Sequence, residues 1–524
     1  QQVLDGVETA FLVRRMLKCA RSEVELIRHI IEQFCCKRPP LLRRVIDGDI
    51  VGTKAREVLG RFVWPPAHSD HAAAVDVALK QLADNPGTPA VEVPMLREGL
   101  YSRADALIPE GAGYVLRETK SSTFPLKRDK VTPGKPEEHH LNDVAIQVWT
   151  MAGVGLPIQR AELNLLDNQW RYPGNDNYSG LFRQLDVSAE VQARLELVPN
   201  WLAAAEEVVS GNMPDVRVGR QCREPYECPY QASCLELEPP GEEHPITLLP
   251  DKAGKDLARK LQEARGYTSL LQPTPDELTG KQSALYQRIQ HAHRTGETIV
   301  EPPVREQMAA LAYPRYSFDF EGIDLPVPRW AGVRPYEQVP FQWSCHVERA
   351  PGVFEHRAFI DLSGDDPSLS CIRAMLDTID LDDGGPIIVY YQAYEKGRLE
   401  GFSQRHPEHA AAMNRYIERL VDLHPMVKEN LYDPRMRGSF SIKKVLPVVA
   451  PDLNYEELEE VQEGTGAQVA YLRACFETTL TPERRGLLKD RLLQYCEQDT
   501  WAMVEVGYFL EGRGRPVRPA SAQV

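Results

Sequence analysis

Residues 101–120 read YSRADALIPEGAGYVLRETK. Two short runs of strand-forming residues, Ser102–Ile108 and Gly113–Thr119, flank the turn EGAG, and a third run at Val91–Leu96 precedes them across the turn REG. Side chains alternate along a strand, so Glu118 and Lys120 share one face, and the hairpin-like turn brings Asp105 beside them. Two carboxylates and a lysine are what a metal-dependent phosphodiesterase needs. The acids hold Mg2+ or Mn2+ against the scissile phosphate, and the lysine orients or helps deprotonate the attacking water and offsets developing charge. A D…ExK triple also arises in ordinary exposed hairpins, so its neighbours carry the argument.

Working outward, helices are expected at 52–60, 70–84, 140–152 and 188–209. In LNDVAIQVWTMAGVG, Gln147 follows Asp143 by one helical turn, and its amide can hold the lysine or a catalytic water; alone it reads as a surface glutamine. Ten cysteines in a long chain make a poor disulfide framework. Cys345, Cys371, Cys475 and Cys496 sit singly among apolar neighbours and read as small core residues. Cys222, Cys228 and Cys234 form an even C-x5-C-x5-C run, unlike the paired spacing of a zinc ribbon. A fourth thiolate has to come from far away, and Cys35 or Cys36 can supply it. An iron-sulfur cluster and a zinc ion are the rival occupants.

In the second half, Asp319 and Glu321 alternate with Phe318 and Phe320 in YSFDFEG, acids on one face and aromatics on the other. Carboxylates so spaced can bridge two divalent ions for in-line phosphoryl transfer. The strand IIVYYQAY leads into a helix carrying Glu395, and LLQYCEQDTWAMV places Tyr495 and Asp499 four apart on one helix face. Strands are expected at 315–320, 339–348, 354–361 and 386–391, with helices at 394–405, 408–421 and 485–509. Both halves therefore read as α/β.

The stretch from Cys35 to Cys234 resembles the RecB-like PD-(D/E)xK nucleases with an iron-sulfur cluster, a group that includes the CRISPR-adaptation exonucleases. SRADAL, RETKSS, DVAIQ and GRQC…PYECPYQASC occur in that family's order. The resemblance implies a restriction-endonuclease-like fold and a 4Fe-4S cluster on Cys35, Cys222, Cys228 and Cys234. Cys35 is chosen because CCKRPPL is similar to the family's C-x-K-R-x-x-L, with Cys36 and Cys19 as alternatives. Relatives often carry a metal-binding histidine on the first helix, absent from GDIVGTKAREVLG, which shifts metal affinity toward Glu92, Asp105 and Glu118. The aromatic that often follows the helical glutamine by four is here Met151.

The second half resembles the DEDD exonucleases of the RNase H-like (DnaQ-like) superfamily, in the subtype with a tyrosine in the third motif. It is most similar to the uncharacterised RNase H-like domain found fused behind RecB-like nucleases. The resemblance implies Asp319, Glu321, Glu395 and Asp499 as metal ligands and Tyr495 as the residue that orients water. Glu395 departs from the usual aspartate, and Asp422 matches an acid that is usually structural.

The bulk properties are compatible with this reading. A chain of 524 residues calls for at least two cores. The implied division is 1–236, a linker at 237–305, 306–512, and a disordered tail at 513–524. A net charge of −15 argues against a protein that coats nucleic acid nonspecifically, but metal-holding sites are themselves acidic. Two basic strips remain, Lys127, Arg128, Lys130 and Lys135 in one and Arg435, Arg437, Lys443 and Lys444 in the other, each an ordinary solvated face when taken alone. No apolar run approaches the ~20 residues of a membrane helix, so a cytoplasmic address follows by default. The chain opens on Gln1, which leaves room for a processed or trimmed start. The expectation is a Mg2+- or Mn2+-dependent DNase acting on single strands or ends, in DNA processing or defence, with protein partners in such a complex and no membrane. The rivals are a nucleic-acid-binding scaffold whose second module is silent, and RNA as substrate.

Overall fold

A computed structural model of the protein describes residues 39–65, 70–211, 217–224, 228, 231–238, 241–453, 455, 458, 461 and 463–519. Two compact units emerge. One comprises the chain as far as Pro239 together with Asp324–Glu337, the other Pro240–Ile323 and Gln338–Val524. Most of the 237–305 stretch, read as a linker in the sequence, therefore belongs to the second unit.

In the first unit, helices α1 (Pro39–Leu59) and α2 (His71–Asp84) lead into strands β1 (Ala90–Arg97), β2 (Leu100–Glu110) and β3 (Gly113–Thr123). Helix α3 (Glu138–Gly153) then crosses to β4 (Ile158–Leu166), β5 (Phe182–Asp186) closes the sheet, and α4 (Ser188–Gln192), α5 (Val198–Ser210) and α6 (Gln231–Leu237) follow. The sheet order is β1-β2-β3-β4-β5, antiparallel except for the parallel β3–β4 pair that α3 connects. Asp70 starts α2 by accepting from the Ala73 amide at 2.9 Å, and Ala74, Val75, Ala78 and Leu82 turn inward along one face. Strands β4 and β5 were not anticipated. From Ala161 to Leu166 every residue of β4 is buried, Glu162 and Asn164 included, so the strand has no solvent-facing side. The helix expected at 188–209 is broken into α4, a 3-10 turn and α5, and the one expected at 52–60 is the end of a longer α1. Asp324–Glu337 joins this unit through Tyr172, whose amide donates to the Val333 carbonyl at 2.9 Å and whose carbonyl accepts from Gly332 at 2.7 Å.

The second unit begins with α7 (Asp251–Arg265), α8 (Ser283–Thr295), β6 (Ile299–Val300) and α9 (Pro303–Ala309). Strands β7 (Arg315–Asp324), β8 (Gln338–Ala350) and β9 (Val353–Ile360) follow, then α10 (Ser368–Thr378), β10 (Ile387–Val389), α11 (Ala393–Arg405), α12 (Ala410–Glu418) and β11 (Leu420–Asp422). The unit closes with α13 (Leu423–Asn430), β12 (Leu431–Tyr432), α14 (Ile442–Val449), α15 (Gly464–Phe476) and α16 (Pro482–Glu511). Its main sheet has the order β11-β10-β7-β8-β9, with β10 parallel to both neighbours and β8–β9 antiparallel. The helix expected to reach residue 421 stops at Glu418, because Leu420–Asp422 pairs with Ile387–Val389 as an edge strand.

Central β7 places Phe318 and Phe320 in the core, their rings 4.7 Å apart edge to face, with Trp343 of β8 beside them. Helix α16 is capped by Thr481, which accepts from the Arg484 amide at 3.2 Å, and has Pro482 as its first residue. It is buried on all sides from Tyr495 to Tyr508, as a helix running through a core must be. The tail was expected to be disordered, yet its described part is pinned: Arg515 pairs with buried Glu505 at 2.7 Å and Arg518 with Glu497 at 3.0 Å. Among the described residues no helix is long and apolar enough to cross a membrane.

Leu163 of β4 is fully buried in the first core. Leu163→Ala should cost about 2–5 kcal/mol in urea denaturation through the cavity it leaves, and Leu163→Met under ~1.5 kcal/mol. Equal costs for the two would contradict the close packing assigned to this strand.

Candidate functional site

Each unit gathers a cluster of ionisable side chains at its sheet. In the first, β2 supplies Asp105, and adjacent β3 supplies Glu118 and Lys120 on one face. The Thr119 amide donates to Asp105 Oδ2 at 2.7 Å. Lys120 Nζ donates to Glu118 Oε1 at 2.8 Å and to Asp143 Oδ2 of α3. Gln147, one turn on, donates its amide to Glu118 Oε2 at 2.9 Å, while its own Oε1 is buried without a hydrogen-bond partner. Asp143 was read from sequence only as the residue preceding Gln147 by a turn; the structure makes it a direct partner of the lysine.

Burial dominates the electrostatics. It pushes the Glu118 carboxyl up to about 8, with the neighbouring Asp105 adding to the effect, and Asp105 itself up to about 6. Burial also works against the Lys120 cation, but Asp143 and Glu118 outweigh it and hold the lysine protonated well above its ordinary value. Glu92 was expected to contribute to metal affinity. It sits at φ 51° in β1, and its carboxylate is engaged by Arg56 at 2.8 Å and Arg103 at 3.6 Å. A cleft beside the cluster is lined by Arg56, Asp105, Arg117, Thr119, Asn164 and Gln184.

Cys222 and Cys228 are tied backbone to backbone, the Cys228 amide donating to the Cys222 carbonyl at 2.8 Å, and Cys234 lies on α6. All three cysteines are half-buried, and none forms a disulfide among the described residues. Among the described residues, no group of three or more ligand atoms within 4.8 Å of one another contains a cysteine. Cys19, Cys35 and Cys36 lie outside the described residues.

In the second unit Asp319 and Glu321 of β7 meet Asp499 of α16, one carboxylate oxygen of each lying within 4.8 Å of the others. Glu395 stands in the first turn of α11, only 1% exposed, its Oε2 without a hydrogen-bond partner. Burial raises all four acids, to about 8 for Glu395 and about 6 for Asp499, and well above the ordinary value for Asp319 and Glu321. Mutual repulsion adds to this for Asp319 and Glu321, with Asp499 the strongest contributor. Asp422 positions the turn before α11, accepting from the Tyr391 and Gln392 amides at 2.9 Å each and from His424 at 2.9 Å. Tyr391 there has φ 80°, a left-handed conformation that the two-pronged carboxylate helps to hold.

Two members escaped the sequence reading. Tyr455 donates its hydroxyl to Asp499 Oδ1 at 2.6 Å, and Tyr495 reaches the same carboxylate. Lys443, read as part of a solvated strip, lies 5.2 Å from the centres of both tyrosine rings and draws the Asp499 pKa down. The periodicity of α16 reveals Tyr495, whereas Tyr455 comes from a non-periodic loop that leaves no such signal.

Glu118 gives a pH test. Its folded pKa of about 8 exceeds its ordinary 4.5, so within that window the folded chain keeps a proton that the unfolded chain has released. This contribution is fully present below the window and is lost as pH rises through about 8. In chelator, the melting temperature of Glu118→Gln should therefore gain on wild type as pH rises from about 5 to about 8. A difference that stays constant across that range would refute the assignment.

Residues 316–441, which include Asp319, Glu321 and Glu395, match the family model of a domain of unknown function, DUF2779. The chain is 26% identical over 222 residues to the uncharacterized protein UU173 of Ureaplasma parvum serovar 3 (strain ATCC 700970). The aligned region covers 39% of this chain and 32% of that protein, about a third of the relative's length. No solved structure matches the chain.

Proposed function

We propose that the protein is a Mg2+- or Mn2+-dependent DNA nuclease with two catalytic modules, acting on single strands or DNA ends in DNA processing or defence. The observation that carries the reading is the convergence of Asp319, Glu321 and Asp499 within 4.8 Å, with the unpartnered oxygen of Glu395 in the same buried region. Buried acids with an unsatisfied oxygen suit hard divalent cations, which take oxygen ligands. Under this reading the second unit is an RNase H-like DEDD exonuclease and the first a restriction-endonuclease-like PD-(D/E)xK domain. In support of the latter, Asp105, Glu118, Lys120 and Gln147 follow one another on β2, β3 and α3 around a single carboxylate network.

When bound, divalent ions supply stabilisation of the charge that develops on the scissile phosphate. Asp319, Glu321, Glu395 and Asp499 would hold them in the second unit, and Asp105 and Glu118 in the first. Lys120 keeps its proton and offers it as a hydrogen bond to the attacking water or the phosphate oxygens. Tyr495 and Tyr455 fix the Asp499 carboxylate, and Tyr495 orients the water.

End-labelled single- and double-stranded DNA and RNA, incubated with the full chain and Mn2+, should be degraded with DNA preferred. Lys120→Ala should remove one component of the cleavage, Asp319→Asn the other, and the double variant all of it. Mn2+ at 100 times its dissociation constant adds about 2.7 kcal/mol by linkage, so wild type should melt higher with Mn2+ than with chelator. Asp499→Asn should shrink that rise, and Tyr495→Phe should keep it while losing rate. Full end-directed cleavage by Asp319→Asn would leave the second unit as a silent nucleic-acid-binding scaffold.

The three-cysteine run is proposed, with Cys35, to bind a 4Fe-4S cluster. Anaerobically purified protein should be brown from thiolate-to-iron charge transfer, and Cys228→Ser should bleach it. Stoichiometric zinc without iron at these cysteines would defeat this part of the reading.

A further inference from the structure

A second ligand set lies on the other side of α16. Strands β8 and β9 place His346 directly opposite His356 in antiparallel register, ring centroids 4.5 Å apart. Glu497 of α16 reaches the same point. It precedes Asp499 by two residues, a turn of roughly 200° around the helix, and so faces away from the acid cluster. One ligand atom from each of His346, His356 and Glu497 lies within 4.8 Å of the other two.

The surrounding hydrogen bonds point to the nitrogens that remain available. Thr500 Oγ1 is 3.1 Å from the Glu497 carbonyl, 2.9 Å from His346 Nδ1 and 2.8 Å from Ser344 Oγ, which is itself 2.9 Å from His356 Nε2. With the Thr500 hydrogen directed to the Glu497 carbonyl, which only accepts, Thr500 accepts from His346 Nδ1–H and from the Ser344 hydroxyl. Ser344 in turn accepts from His356 Nε2–H. This chain leaves bare lone pairs on His346 Nε2 and His356 Nδ1. The first is a buried atom with no hydrogen-bond partner, on a residue only 1% exposed. A buried acceptor left so is costly, and a histidine oriented through its other nitrogen is the usual form of a metal ligand.

We propose that His346, His356 and Glu497 form a zinc site, separate from the carboxylate cluster and from the cysteines. Two imidazoles and a carboxylate suit Zn2+ better than Mg2+ or Ca2+, which take oxygen ligands, and three protein ligands leave one position of a tetrahedron open. Ser344 and Thr500 orient the imidazoles, and Arg518 holds Glu497 at 3.0 Å. The ion would fasten β8 and β9 to α16, the helix that presents Tyr495 and Asp499.

Full-length protein is stripped with chelator, dialysed against zinc sulfate, freed of excess metal and assayed for bound zinc. Wild type and Asp319→Asn should retain the same amount. His356→Gln and Glu497→Gln should each retain one equivalent less, melt like wild type in chelator, and lose the zinc-dependent rise in melting temperature. Cobalt loading of the unmutated site is a readout independent of variant folding. It should give the intense visible band of a four-coordinate ion, and that band should persist in Cys228→Ser. Equal zinc in His356→Gln, Glu497→Gln and wild type, or a cobalt protein without that band, overturns the proposal.

Discussion

Asp319, Glu321 and Asp499 hold carboxylate oxygens within 4.8 Å of one another, with Glu321 and Asp499 buried and Asp319 half-buried. Two full charges at that spacing repel by about 3.5 kcal/mol even at an effective dielectric of about 20. Strand alternation forces the arrangement: with Phe318 and Phe320 committed to the core, Asp319 and Glu321 have only the other face of β7. The chain answers the repulsion by keeping the acids partly protonated, by bringing two phenols to Asp499, and by placing Lys443 over both phenol rings.

The first unit meets a related constraint differently. Lys120 lies between Glu118 and Asp143 as a built-in counter-charge, and Gln147 satisfies the remaining Glu118 oxygen. The first cluster thus carries its own cation, while its surplus of acid remains visible in the raised pKa values of Asp105 and Glu118. In the second cluster the nearest cation acts through rings and over distance. More acids of like charge with weaker internal compensation make the second cluster more dependent on an external cation than the first.

Much of this was legible because it rests on local periods. Alternation put Glu118 with Lys120 and Asp319 with Glu321, and the helical four-residue step put Asp143 with Gln147 and Tyr495 with Asp499. What was missed rests on tertiary placement. Strand β4 buries polar Glu162 and Asn164 together with Leu163 and Leu165, so no solvent face marks it, and β11 pairs with β10 over only three residues. Tyr455 and Lys443 reach Asp499 from segments 44 and 56 positions upstream in the numbering, and neither segment has a pattern that points there. The arginines that close on Glu92 come from α1 and β2, and no local period announces them. His346 and His356 are unremarkable in sequence, and only the register of one hairpin makes them neighbours.

Helix α16 explains why these placements are mutually dependent. A helix buried on all sides has no solvent-facing stripe on which polar residues can go unpartnered, so each one must find a partner in a different direction. Asp499 is directed to the acids of β7, Thr500 to His346 and Ser344, and Glu505 to Arg515 of the tail. Rotating the helix to improve one of these contacts would break the others, because successive residues are locked at about 100° intervals. The position of Asp499 is therefore set as much by the histidine pair and the tail arginines as by the carboxylates it joins. A side chain that must hold its place against repulsion needs such support from a rigid element.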